Sequence, residues 1–237
     1  MGVRILFMLP ARSGSKGLPD KNIRPLCGKP LMWYAIKAIK SARCYAADEC
    51  CVFVNTDSEK YAKIARDCGA EVPFLRDSCL ASDQSTIEET IADAYNRFED
   101  NKFDVFAMVQ VTSPLVSPDD IDAAIDAIRA GADSAMAVAE SEVMPLWCGT
   151  LDETLSMKDF IDPKIRSLNR QELPVFYRIT GSVRAAKWHK FKEHDFDWYR
   201  GDSRAVVTGS DAAIDIDTLQ DFQYAEFLMS RKVEENA

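Results

Sequence analysis

The sequence predicts an α/β fold, a mainly parallel sheet with helices on both faces and a small extension. Three observations carry that expectation. Apolar strand-like runs alternate with segments of helical apolar spacing from residue 3 to residue 139, the order that builds parallel sheets. The first run leads into "LPARSGSKGLPDKN" at residues 9–22, where Arg12, Lys16 and Lys21 are interleaved with Gly14 and Gly17. Parallel sheets bind ligands beyond the carboxyl ends of their strands, and this loop follows the first strand. Finally, 237 residues, 47% of them hydrophobic, are long for one domain, short for two, and sufficient for a real core.

Each element has its own reason. Residues 3–9 form a mostly apolar run of strand length. Residues 31–42 carry apolar side chains at 31, 32, 35, 36 and 39, one face of a helix. Residues 51–54 read as a strand, 58–68 as a helix closed by Gly69, and 71–75 as a short strand. Residues 86–98 have helical spacing at 87, 91, 94, 95 and 98, and 105–109 form a strand. Ser117 is a natural N-cap, with Pro118 at the first helical position and acids in the first turn. That helix runs to about Arg129, Gly131 ends it, and 134–139 form another strand. The rhythm breaks over residues 144–171, which mix Pro, Trp and charge without a period and read as an insertion leaving the main body. Strand patterns return at 182–186 and 205–207, and a helix over 218–229 closes a chain without internal repeats.

A net charge of −9 argues against nucleic-acid binding, which needs a basic footprint. Yet residues 12–29 hold five cations against one anion, Asp20, a local inversion that suits an anionic small molecule. Seven cysteines without a CxxC read as reduced thiols in a cytoplasmic protein. No segment reads as a signal peptide or a membrane span, so no membrane partner is expected. His189 and His194, the only histidines, lie in a charged segment and read as solvated rather than metal-ligating.

The opening loop matches neither the GxxxxGK[ST] nor the GxGxxG phosphate pattern. Its physics is similar. Glycines let backbone approach an anion and amides point at it, while Arg12 offers a planar fork and Lys16 and Lys21 point charges. Several cations in one loop suit a polyphosphate; on composition alone the other reading is a solvated basic turn.

Five pieces then occur in order: "LPARSGSKGLPDKN", "NTDSEKYAKIARDCGAEVPFLRDSCLASD", "QVTSPL", "RQELPVFYRITGS" and "AIDIDT". This series, spanning residues 5–226, resembles the acylneuraminate cytidylyltransferase family. The resemblance implies a nucleotide-sugar pyrophosphorylase-type, Rossmann-like domain in which residues 144–171 form a dimerisation extension. It implies CTP and an acidic nine-carbon sugar as substrates, with attack of the anomeric hydroxyl on the α-phosphorus and release of pyrophosphate. Arg12, Lys16 and Lys21 match the triphosphate loop, with Lys21 stabilising the departing pyrophosphate. Asn22 matches a cytidine-holding residue, and a turn cap is its other reading. Arg76, Ser82 and Thr86 match the cytosine-contacting loop, although Ser82, Asp83 and Ser85 could instead cap the helix near Thr86.

Gln110 matches a sugar contact. Val111 and Val116 depart from the family's usual Pro and Arg, and Thr180–Gly181 from its Asn-Gly, so the exact sugar stays open. Arg170 matches the residue that meets the acid sugar, Arg178 reaches phosphate or sugar, and surface ion pairing is the alternative for both. Asp215 and Asp217, read as strand positions i and i+2, face one side. Two such carboxylates repel unless a cation joins them. Mg²⁺ prefers oxygen and bridges carboxylates to phosphates, and the family uses this pair for the metal. Rival readings are a transferase of the same fold using another nucleotide or sugar, and a nucleotide-binding module without catalysis. A dinucleotide oxidoreductase is set aside for want of its glycine fingerprint.

Overall fold

The computed structural model describes residues 2–98 and 103–235. Strand β1 (Arg4–Pro10) leads through the opening loop to a ribbon of β2 (Pro25–Leu26) and β3 (Lys29–Pro30), then to helices α1 (Leu31–Ser41) and α2 (Arg43–Ala47). The alternation continues through β4 (Glu49–Asn55), α3 (Glu59–Asp67), α4 (Ile87–Arg97), β5 (Val105–Val109), α5 (Pro118–Arg129) and β6 (Ser134–Glu140). After a single turn, α6 (Pro163–Arg166), come β7 (Tyr177–Lys187), α7 (Trp188–Glu193), β8 (Ser203–Val207) and α8 (Leu219–Glu235).

The sheet order is β4-β1-β5-β7-β6-β8. β1 is parallel to β4 and β5, and β6 to β8, but β7 is antiparallel to both neighbours. The reason lies in the connection. Glu140 pairs with Tyr177, so β6 and β7 are arms of one long hairpin, with the irregular stretch as its tip and no crossover helix to restore direction.

Strand alternation sorts the core into two layers. Ile5, Phe7 and Leu9 pack under α1, α3, α5 and α8. Leu6 and Met8 pack on the other face with α4, α7 and the rings of Tyr95, Trp188, Phe191 and Trp198. α5 begins with a capping box between Ser117 and Asp120 and has Pro118 in its first turn, as its sequence predicts.

Two expectations need correction, and two helices had no expectation at all. Residues 71–75 make only one bridge, Phe53 to Glu71. Helices α2 and α7, five and six residues long, are too short to announce themselves by periodicity. Residues 214–217 are not a strand but an extended link between the turn Asp211–Ala213 and α8. Within it the Ile216 N–H bonds the Thr112 carbonyl at 2.9 Å, outside any ladder. The shared-face argument for Asp215 and Asp217 therefore fails.

None of residues 144–171 is buried, and Leu151, Leu155 and Met157 are each more than half exposed. Among the described residues no helix is long and apolar enough to cross a membrane.

Candidate functional site

From β1 the chain moves to β4 on one side of the sheet and then to β5 on the other. There the loop leaving β1 faces the segment that runs into α4 across a cleft of about 610 Å³, with Thr112 after β5 and Asp217 and Thr218 also lining it. Arg12, Lys16, Lys21, Asn22, Arg76, Ser82, Thr86 and Asp217 all line it, so eight of the twelve expected site residues converge.

The cation wall is built from several anchors. Ala11 donates its N–H to the Asn55 carbonyl at 2.9 Å, and Asn22 Nδ2 donates to the Arg12 carbonyl at 3.0 Å. Asn22 is buried, so in this structure its amide secures the loop. Asp20 adopts a left-handed conformation (φ 54°), and its carboxylate accepts from Lys60 at 2.8 Å and Tyr61 at 3.1 Å. That corner turns Lys21 inward: its side chain is 11% exposed and its Nζ lies 2.8 Å from Asp217 Oδ1. Gly17 is required by proximity, since a Cβ there would lie 2.6 Å from the Asp217 carbonyl oxygen. Gly14 has open space around it and a negative φ, so no such constraint applies.

Carboxylates engage all three cations. Asp83 pairs with Arg12 at 3.1 Å and also with Lys16, while Asp217 pairs with Lys21. The Arg12 guanidinium also donates to the Ser82 carbonyl at 3.1 Å. An incoming polyphosphate would take over these contacts. The exposed pairs are individually weak, so their exchange is inexpensive.

The opposite wall holds Arg76, whose guanidinium donates to Asn55 Oδ1 at 2.7 Å and to the Asn55 carbonyl at 2.8 Å. Burial pulls its pKa down to about 10, with the Arg12 charge in the same direction and Asp57 and Asp93 opposing. It remains a cation at neutral pH. Thr86, rather than Ser82, Asp83 or Ser85, caps α4: its hydroxyl accepts the Glu89 N–H and Glu89 returns to the Thr86 N–H. Thr86 thus combines the capping and cleft-lining roles. At α8 the cap is Thr218 with Asp221, which leaves the Asp217 carboxylate to Lys21.

A second recess of about 310 Å³ holds Arg178, Asp215, Asp211, Asp221, Glu142 and Tyr224. The recesses adjoin at residues 215–218. Asp215 has surface open to solvent, but its surroundings withdraw enough water to push its carboxyl pKa up, with Asp217 and Asp221 adding repulsion; a Thr112 hydrogen bond and the Lys21 charge oppose this. A carboxyl group short of positive charge, beside Asp217 and next to the cation wall, fits Mg²⁺, which takes one or two carboxylates and completes its shell with phosphate and water. Among the described residues no three His, Cys, Asp or Glu side chains form a metal cage, so such an ion would depend on the substrate for further ligands.

Two expected residues lie elsewhere. Gln110 follows β5 and lines neither recess; its carboxamide oxygen accepts from Thr112 Oγ1 at 3.3 Å and lies against Gly181, whose lack of a side chain makes room for it. Arg170 sits on the exposed extension, donates to the Glu142 carbonyl at 3.2 Å and lines neither recess of its own chain. Residue-by-residue reading missed the cleft-lining Thr112, the Asp83 clamp and the grip of Asp57 on Ser13. Only the acidic residue in each loop hinted at the last two.

A glycine-and-cation loop after β1, beside a polar wall at the sheet's switch point, defines an α/β nucleotidyltransferase. The chain belongs to the cytidylyltransferase family, whose model, described as Cytidylyltransferase, matches residues 6–164. It is 33% identical over 232 residues to the CMP-N,N'-diacetyllegionaminic acid synthase of Legionella pneumophila, covering 96% of this chain and 97% of that protein. It is 31% identical over 219 residues to the N-acylneuraminate cytidylyltransferase of Streptococcus agalactiae, covering 92% of this chain but 51% of that longer protein. Among solved structures, CMP:2-keto-3-deoxy-manno-octonic acid synthetase complexed with CTP superposes with a TM-score of 0.71 at 14% identity, covering 97% of this chain and 99% of that one. That likeness supports the nucleotidyltransferase fold.

Proposed function

We propose that this cytidylyltransferase joins CTP to a nine-carbon sugar acid of the acylneuraminate type. The observation that carries the reading is the convergence of Arg12, Lys16 and Lys21 opposite Arg76, Ser82 and Thr86 in one cleft. The relatives activate diacetyllegionaminic acid and N-acylneuraminate by name. Arg12 and Lys16 exchange Asp83 for phosphate oxygens, and Lys21 faces the β- and γ-phosphates. The sugar's anomeric oxygen bonds to the α-phosphorus, the bond from that phosphorus to the bridging oxygen breaks, pyrophosphate leaves and the hydroxyl proton is released. Such transfers depend on positioning and charge neutralisation more than on covalent help. Asp215 and Asp217 would hold Mg²⁺, which supplies further charge neutralisation when bound. Arg178 and Gln110 would contact the sugar, Arg178 from the second recess and Gln110 from beside the cleft-lining Thr112. Seven free thiols suit a cytoplasmic reaction. Pyrophosphate release should appear with CTP and at least one nonulosonic acid from a purified panel. Faster release with GTP, or none with any acid sugar, would overturn the assignment.

Residues 144–171 serve as a dimerisation arm. Val143, Leu151, Leu155, Met157, Val175 and Tyr177 are all more than half exposed, an apolar surface that monomers rarely leave open, and two-fold pairing is the commonest remedy. Arg170, which lines neither recess of its own chain although it bonds the Glu142 carbonyl at the edge of the second, would then serve the neighbour's sugar site. Mixing inactive Arg170→Ala chains with inactive Asp217→Asn chains should regenerate sites that are wild type at both positions. A stable, fully active monomer in ultracentrifugation would refute the dimer; a dimer without rescue after proven exchange would refute the shared site.

A further inference from the structure

Asp57 lies two residues beyond β4 and lines neither recess. Its carboxylate nevertheless grips Ser13 twice. Oδ1 accepts the Ser13 N–H at 2.8 Å and Oδ2 accepts the Ser13 hydroxyl at 2.7 Å. The preceding two residues are also tied, Ala11 through its N–H to Asn55 and Arg12 through its carbonyl to Asn22. Arg12 is therefore bracketed by successive anchors at residues 11, 12 and 13, and of these three the one from Asp57 is ionised.

Burial pushes the Asp57 carboxyl up, but the Ser13 hydrogen bonds, its own backbone N–H and the Arg76 charge outweigh this and hold it below its ordinary value. Hydrogen bonds to an ionised acceptor are the stronger kind. Beyond Ser13 the loop reads Gly14, Ser15, Lys16, Gly17, a segment with much backbone freedom to lose on ordering. The Asp83 contacts that also hold Arg12 and Lys16 are the ones a polyphosphate would displace. Asp57 lines neither recess, so nothing in that exchange requires its contact with Ser13 to break.

We infer that Asp57 is a positioning residue for the triphosphate, keeping Arg12 and the adjoining backbone aimed into the cleft once Asp83 has been displaced. The inference rests on the reading that the cleft takes a nucleoside triphosphate. A loop ordered before binding costs less to order during it.

The test compares CTP with CMP by calorimetry on the full-length protein. Asp57→Ala should weaken CTP binding about tenfold, the scale of a lost charge-assisted contact, and CMP by less than about twofold. Asp57→Asn retains an acceptor for the Ser13 N–H without the charge and should recover part of the CTP affinity. Unchanged CTP binding in Asp57→Ala, equal loss of both nucleotides, or no recovery with asparagine would overturn the inference. If Asp57→Ala does not fold, Ser13→Ala removes the hydroxyl arm alone and should weaken CTP about threefold with CMP unchanged; unaltered CTP binding there overturns it too. A wild-type protein that binds no CTP would instead overturn the reading of the cleft.

Discussion

Asp217→Asn is expected to lower kcat by about 10²–10³-fold, the scale on which one electrostatic stabiliser of a transition state acts. The side chain keeps its shape and loses its charge. That charge has two tasks here. It holds Lys21 Nζ at 2.8 Å, and in the proposed reaction it would hold the metal together with its neighbour Asp215. EDTA should abolish wild-type turnover and added Mg²⁺ should restore it. Asp217→Asn should need more Mg²⁺ than wild type to reach its own maximum. Melting temperature should change little, because the Asp217 side chain is 75% exposed. Full turnover without a divalent ion would remove the metal from the mechanism and leave Asp217 as an orienter of Lys21.

Lys21→Ala should lower kcat by about 10²-fold while raising the KM for CTP far less. An interaction that strengthens as charge develops on the leaving group acts on kcat, whereas uniform binding acts on KM. Lys21 is the least exposed of the three loop cations in ion pairs, so its charge acts through less screening water. Arg12→Ala should affect both parameters. The Lys21→Ala/Asp217→Asn double variant should lose less than the product of the single losses, because each side chain acts partly through the other. A Lys21→Ala enzyme with only a raised KM would place Lys21 in simple substrate binding.

Particular residues show how far the sequence could be read. The apolar run into Pro10, the period of α1 and the Ser117–Pro118 start of α5 are local signals, decided by alternation, helical spacing and capping chemistry. The direction of β7 left no such signal, because an alternating strand looks the same read either way along a sheet. Asp215 and Asp217 show the opposite failure. "AIDIDT" alternates like a strand, but Ile216 bonds to Thr112 instead of entering a ladder, and the two carboxylates open into adjoining recesses.

By itself the sequence determined the α/β class, the cation loop after the first strand, the break at residues 144–171 and, through its five ordered pieces, the family. All of these are properties of neighbours in the chain or of residue order. Tertiary structure alone decided which partner each charged side chain of the site meets. Asp57 reaches Ser13 across 44 positions, Arg12 reaches the Ser82 carbonyl across 70, and Lys21 reaches Asp217 across 196. At such separations a charge on the chain has many possible partners, and only the packing of strands and helices brings one of them within a hydrogen bond's reach.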